Sequence, residues 1–240
     1  MKRFAPGVRP MAATLLLALA ACGAGATDIA TAALPSDVSD GVLQVAQRRL
    51  RLPPGHWVLV ARDTVETQGR KQQAGTGIRA WIAREDAGRL DALISLSLPL
   101  EDFPKVHHQG DNRCSEEDSI ERADLSGNPN LPECLGVYGH RDLVQALATR
   151  SPAVAAWMLA AKVSNPGPVV RFTYRQRTDF SYGGISLFLP TAHFESDEVA
   201  SAWAKQMRQV CKPLFEGRVR DATLPRPSAP SEETAASAPD

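Results

Sequence analysis

Leu90-Asp91-Ala92-Leu93-Ile94-Ser95-Leu96-Ser97-Leu98-Pro99-Leu100 is the clearest periodic stretch of the chain. Leu90, Ala92, Ile94, Leu96, Leu98 and Leu100 share one parity, and Asp91, Ser95 and Ser97 share the other, with Leu93 the exception. Successive side chains of a strand point to opposite faces, so this alternation describes a strand with one packed face and one wet face.

Two further strand-like runs precede it. Trp57, Leu59 and Ala61 alternate with Val58 and Val60, and Ile78 to Arg84 follows the Gly-containing connection Gln68 to Gly77. With the Leu90–Leu100 run they read as an antiparallel meander. Further along, Val170, Phe172 and Tyr174 face one side of a strand while Arg171, Thr173, Arg175 and Arg177 face the other. Ile185, Leu187 and Leu189 repeat the pattern after a turn at Asp179–Gly184. Helical signals separate and flank these runs. Val42, Val45, Ala46 and Leu50 fall near helical spacing and predict a first helix over Asp40–Leu50, ended by Pro53-Pro54-Gly55. Asp142–Ala148 reads as a short helix, and Ser151-Pro152 supplies the N-cap and first position of another over Ala153–Val163. Ser196 caps a last helix whose stripe is Val199, Trp203, Met207, Val210, Cys211 and Leu214. The expected fold is α+β: one five-stranded, mostly antiparallel sheet with helices packed on one face.

Glu101 to Gly139 reads as one long polar loop, rich in Asp and Glu, that holds Cys114, Cys134 and His107-His108. A loop of this length in a compact domain is usually functional or stapled. A Cys114–Cys134 disulfide closes a short local ring and contributes about 3 kcal/mol by the loop-entropy argument. Cys211 sits on an apolar helical stripe and reads as a small hydrophobe.

The amino terminus speaks to location. Lys2, Arg3 and Arg9 precede an uncharged apolar run, Met11 to Ala21, the build of a secretory signal. The run is about half of the ~20 residues a spanning helix needs. Leu19-Ala20-Ala21-Cys22 resembles a bacterial lipobox, the site at which lipoprotein precursors are acylated on Cys and then cleaved before it. The resemblance implies a lipid on Cys22, residues 1–21 as signal peptide, and residues 22–36 as a lipidated flexible tether. Gly23 in place of the Asp that retains such proteins at the inner membrane implies the outer membrane, facing the periplasm. The competing reading is ordinary secretion with cleavage after Ala24-Gly25-Ala26. A single α+β domain is expected over 37–220, and residues 221–240, rich in Pro, Ser, Ala and Glu, read as a disordered tail.

Of the 240 residues, Lys and Arg total 27 and Asp and Glu total 27. The signal carries three bases and no acids, so the remainder is slightly acidic, without the basic excess that seeks nucleic acid. The low aromatic share, 6 %, offers no stacking platform for single strands. No nucleic-acid partner and no cofactor is expected.

Candidate chemistry is sparse. His140-Arg141-Asp142-Leu143 matches the kinase catalytic triplet, but a Gly-rich loop with a strand Lys and the Asn that follows the catalytic Asp are missing. His107, His108 and Cys114 are the one zinc-like cluster, and adjacent His on a strand point oppositely. Asp124, Ser126, Asn128 and Asn130 mimic alternating calcium ligands, with Leu135 where the bidentate Glu would stand. No metal site is expected. Two functions remain: a non-enzymatic envelope lipoprotein binding a protein or cell-wall partner, immunity-like in one version, or a small periplasmic hydrolase using His140, Asp142 or the His107-His108 loop. The lack of a catalytic motif favours the first. The residues expected to carry binding are Arg171, Arg175 and Arg177, like charges about 7 Å apart along one strand that an acidic partner would offset.

Overall fold

The computed structural model describes residues 25–68, 74–100, 119–126, 128, 131–140, 143, 147, 151–178 and 181–227. Its strands are β1 (Thr27–Asp28), β2 (Ser36–Asp37), β3 (Val42–Val45), β4 (Arg48–Arg51), β5 (Trp57–Gln68), β6 (Ala74–Asp86), β7 (Arg89–Pro99), β8 (Ser119–Asp124), β9 (Glu133–His140), β10 (Val169–Arg177), β11 (Tyr182–Pro190) and β12 (Asp221–Thr223). Two α-helices are described over their length, α1 (Pro152–Ala160) and α2 (Asp197–Phe215), and Leu143 and Leu147 are also helical.

Strand pairing, not helix packing, organises the chain. Eight strands form one sheet in the order β2-β5-β6-β7-β11-β10-β9-β8, antiparallel at every pairing. A second sheet runs β1-β3-β4-β12, with an antiparallel β3–β4 pair flanked by parallel pairings. The fold is therefore mostly β, and the expected five-stranded α+β arrangement is corrected at two internal segments and at both ends of the domain.

The first is Asp40–Leu50, which forms the β3–β4 hairpin instead of a helix. Its burial alternates, with Leu43, Val45, Arg48 and Leu50 inside. A segment this short, with Val at 42 and 45, satisfies either period, and β-branched side chains pack well on a pleated surface. Ala46, at φ 52, makes the turn. The second is the expected 101–139 loop, which contains the β8–β9 hairpin. In β9 the packed residues are Leu135 and Val137, and the Tyr138 ring covers Gly136, where an added Cβ would lie 2.3 Å from the Tyr138 hydroxyl. The third is the carboxyl end. Asp221–Thr223 pairs in parallel with β4, and Leu224 is buried. At the other end, Thr27–Asp28 lies within the stretch read as tether and pairs with β3, beside a buried Ile29.

One face of the large sheet packs against α2 and the small sheet in a single core. It joins Leu96, Phe172, Tyr174 and Ile185 to Trp203, Met207 and Leu214 and to Leu43 and Leu50. Helix α2 follows its sequence signals: Ser196 Oγ accepts from the Val199 amide, and Ala200, Trp203, Ala204, Met207, Cys211 and Leu214 form the buried stripe. Trp203 and Phe172 meet in a T-shaped arrangement with ring centres 4.7 Å apart, and Phe215 stacks on Tyr174 with ring centres 5.7 Å apart. Glu133 is the ion-pair hub at this seam, bound by Arg208 and Lys212 at 2.7 Å each. Burial alone would raise its pKa, but the two cations prevail and hold it below the usual carboxylate range. The described residues cover the opposite face only in part. There Leu143, Leu147, Val154 and Met158 pack over Val60, Trp81, Ala83, Leu93 and Phe188.

Candidate functional site

The part of that second face left open by the described residues forms a basin. Cross-strand register places its residues in rows. One row crosses the sheet as Asp63, Arg79, Ser97, Gly184, Arg175, Cys134 and Asp124. The next, two residues along, is Ala61, Trp81, Ser95, Ser186, Thr173, Gly136 and Arg122. Residues opposite each other in an antiparallel pair share a face, so each row is a line of side chains on one surface.

The middle strands contribute small residues there: Ser95 and Ser97 from β7, Gly184 and Ser186 from β11. Long residues stand on the outer banks, which makes the surface concave. The resulting basin holds about 600 Å³, within the ~300–1,000 Å³ typical of ligand sites. Arg79 rims it on one bank and Arg175 and Arg177 on the other, with Tyr182 and the Trp81–Phe188 pair at its ends. The described lining residues include no Asp or Glu. The floor is hydroxylic, with Thr173 Oγ1 and Ser186 Oγ 3.1 Å apart.

Electrostatics follow from this geometry. Arg171 shares the face but is only 2 % exposed, with its guanidinium 4.3 Å from the centre of the Tyr138 ring. Burial, helped by the like charge of Arg175, pushes it down to about 10. Burial also lowers Arg177 and raises the Tyr182 hydroxyl, a rise that the nearby Arg79 opposes. These shifts mark a positive, partly desolvated site, where an anion gains more than it would in open water.

Trp81 is 5 % exposed, and its indole N–H has no hydrogen-bond acceptor. A buried orphan donor costs about 1–3 kcal/mol. The side chains of Arg79, Ser95 and Ser97 make no hydrogen bond or ion pair among the described residues.

The expected arginine row thus divides. Arg175 and Arg177 line the basin, and Arg171 lies beneath the surface beside Tyr138. Cys134 also lines the basin and is disulfide-bonded, whereas Cys211 is a free, buried thiol that burial pushes up to about 12. Cys22, Cys114, His107, His108 and Asp142 lie outside the described residues, and His140 ends β9. The calcium-like Asp124 and Ser126 bond each other, Asp124 Oδ1 accepting from the Ser126 amide and hydroxyl. Arg79 and the small-residue floor were missed by sequence reasoning. Parity puts Arg79 opposite Ile78 and Ala80, but only the β7–β11 register brings it into one basin with Arg175.

No protein-family model matches the chain, and neither does any curated protein or solved structure. The fold and the basin define the class: an antiparallel-sheet protein with an arginine-rimmed cleft on one face.

Proposed function

We propose that the protein is a non-enzymatic binding module of the cell envelope that engages an acidic partner through the basin. The observation that carries this reading is the convergence of Arg79, Arg175 and Arg177 on one concavity whose described lining is free of carboxylates. Guanidinium forks suit carboxylates geometrically, and a concave positive site raises the local concentration of anions. The test is a pull-down from envelope extract with wild type and an Arg79→Ser/Arg175→Ser/Arg177→Ser variant, at low and moderate salt. The variant is expected to fold and to lose the salt-sensitive partners. A folded variant that recovers the same partners with the same salt dependence refutes the reading.

The tether belongs to the same proposal. Lipid on Cys22 would hold the module at the outer membrane, facing the periplasm. Labelling with a fatty-acid probe is expected to mark wild type and not Cys22→Ser, and equal labelling of both would remove the anchor. A Cys114–Cys134 staple is proposed beside the basin. Non-reducing peptide mapping is expected to recover that pair, and a bond from Cys114 to Cys211 would reject it.

A further inference from the structure

The basin has an internal geometry that narrows the partner's chemistry. Arg79 and Arg175 stand in one row, separated by Ser97 and Gly184. Three strand spacings put their backbones roughly 14 Å apart, a gap that two guanidinium side chains and one carboxylate between them can fill. The floor of that gap carries only a hydroxymethyl group and a hydrogen. A Cβ added at Gly184 would meet nothing closer than Arg175 Cγ at 3.7 Å and Ser97 Cβ at 3.9 Å, so the hollow is not needed for packing. Donors surround it. The side chains of Arg79, Ser95 and Ser97 make no hydrogen bond or ion pair among the described residues, and the buried Trp81 indole N–H in the adjoining row lacks an acceptor. A guanidinium carries five donors, enough to hold a neighbour and a ligand at once.

Resting on the reading of the protein as an acid-binding module, we propose that this gap seats a single Asp or Glu side chain from a partner protein. The carboxylate lies over Ser97 and Gly184 between Arg79 and Arg175, and Arg177 stands beside it at the rim. A protein carboxylate fits better than a lipid headgroup because the seat is a recess in the sheet face, lined by serine hydroxyls, not a flat cationic plane.

The full chain, wild type and variants, is titrated at low salt into a fluorescein-labelled peptide of Glu residues and into the matched Gln peptide, and anisotropy is read. Inorganic phosphate and phosphatidylglycerol vesicles are separate arms. Thermal melting monitors folding. Wild type is expected to bind the Glu peptide and not the Gln peptide. Arg79→Ser and Arg175→Ser are each expected to weaken binding about tenfold. Gly184→Val, which keeps every charge, is expected to weaken it as much by filling the hollow. Equal binding of the two peptides overturns the seat, as does undiminished binding by a folded Gly184→Val. Binding to phosphate or vesicles in preference to the Glu peptide overturns the assignment to a protein side chain. If the seat fails while extract partners still depend on the three arginines, the binding-module reading stands and the single-carboxylate seat is wrong.

Discussion

Glu133 is the residue on which the sheet-to-helix seam turns. It is buried, yet it meets Arg208 and Lys212 from α2, and the Tyr174 hydroxyl, which donates to Gln176 Oε1 at 2.8 Å, lies 3.2 Å from it. Removing its charge leaves two cations of α2, one turn apart, without their shared counter-charge at the seam. Glu133→Gln is expected to lower stability by about 1.5–3 kcal/mol at neutral pH, the value of hydrogen bonds to a charged group, measured as a shift in urea midpoint. The sign with pH follows from the lowered pKa. The stabilisation is fully present above the ordinary carboxylate value of 4.5 and is lost as pH falls through the folded value. The gap between wild type and Glu133→Gln should therefore close on acidification. A gap that stays constant down to acid pH would show that Glu133 acts by shape and not by charge.

At the scale of the element, β7 shows what alternation is worth. Leu96 faces the main core and is buried at 1 %, while its neighbour Ser95 faces the basin. Leu96→Asp is expected to prevent folding, since a buried unpaired carboxylate costs several kcal/mol against a typical total of about 5–15 kcal/mol. Ser95→Asp is expected to melt like wild type, and a matching loss in both variants would contradict the assignment of faces. The same alternation made the β5–β6–β7 meander and the β10–β11 hairpin legible in the sequence, and the Ser196 cap with its helical apolar stripe did so for α2. It failed where the chain is short or weakly apolar. Val42–Leu50 fits helix and hairpin alike. The strand β9 carries its face on Leu135 and Val137 alone, with Gly136 and Tyr138 opposite, and so read as loop. The site was half legible for a related reason. Parity within β10 set Arg175 and Arg177 on one face. It could not show that Arg171 would be covered by Tyr138, or that β7 and β11 would bring Arg79 to the opposite bank. Those facts depend on pairings between strands distant in sequence.

At the scale of the whole molecule, the small sheet ties the carboxyl end to the amino-terminal part. The Arg49 amide donates to the Arg220 carbonyl and the Leu224 amide to that of Arg51, so β12 completes a sheet begun nearly 200 residues earlier. Leu224 then enters the main core, and the Trp203 indole N–H of α2 donates to the Arg226 carbonyl at 2.9 Å. Composition gives no hint of this, because Pro, Ala and Ser dominate from Asp221 onward. The pairing exists only because β4 offers an edge and the core offers a pocket for one leucine. Two truncations test these contacts. Ending the chain after Arg220 removes β12, Leu224 and the Trp203 acceptor. Burial of the leucine alone is worth about 1.5–3 kcal/mol, and an orphaned indole N–H adds about 1–3 kcal/mol. That variant is expected to melt well below wild type. Ending after Pro227 keeps all three contacts and is expected to leave the melting temperature unchanged. If the two truncations melted alike, Leu224 and β12 would contribute nothing, and the small sheet would be held by β3 and β4 alone.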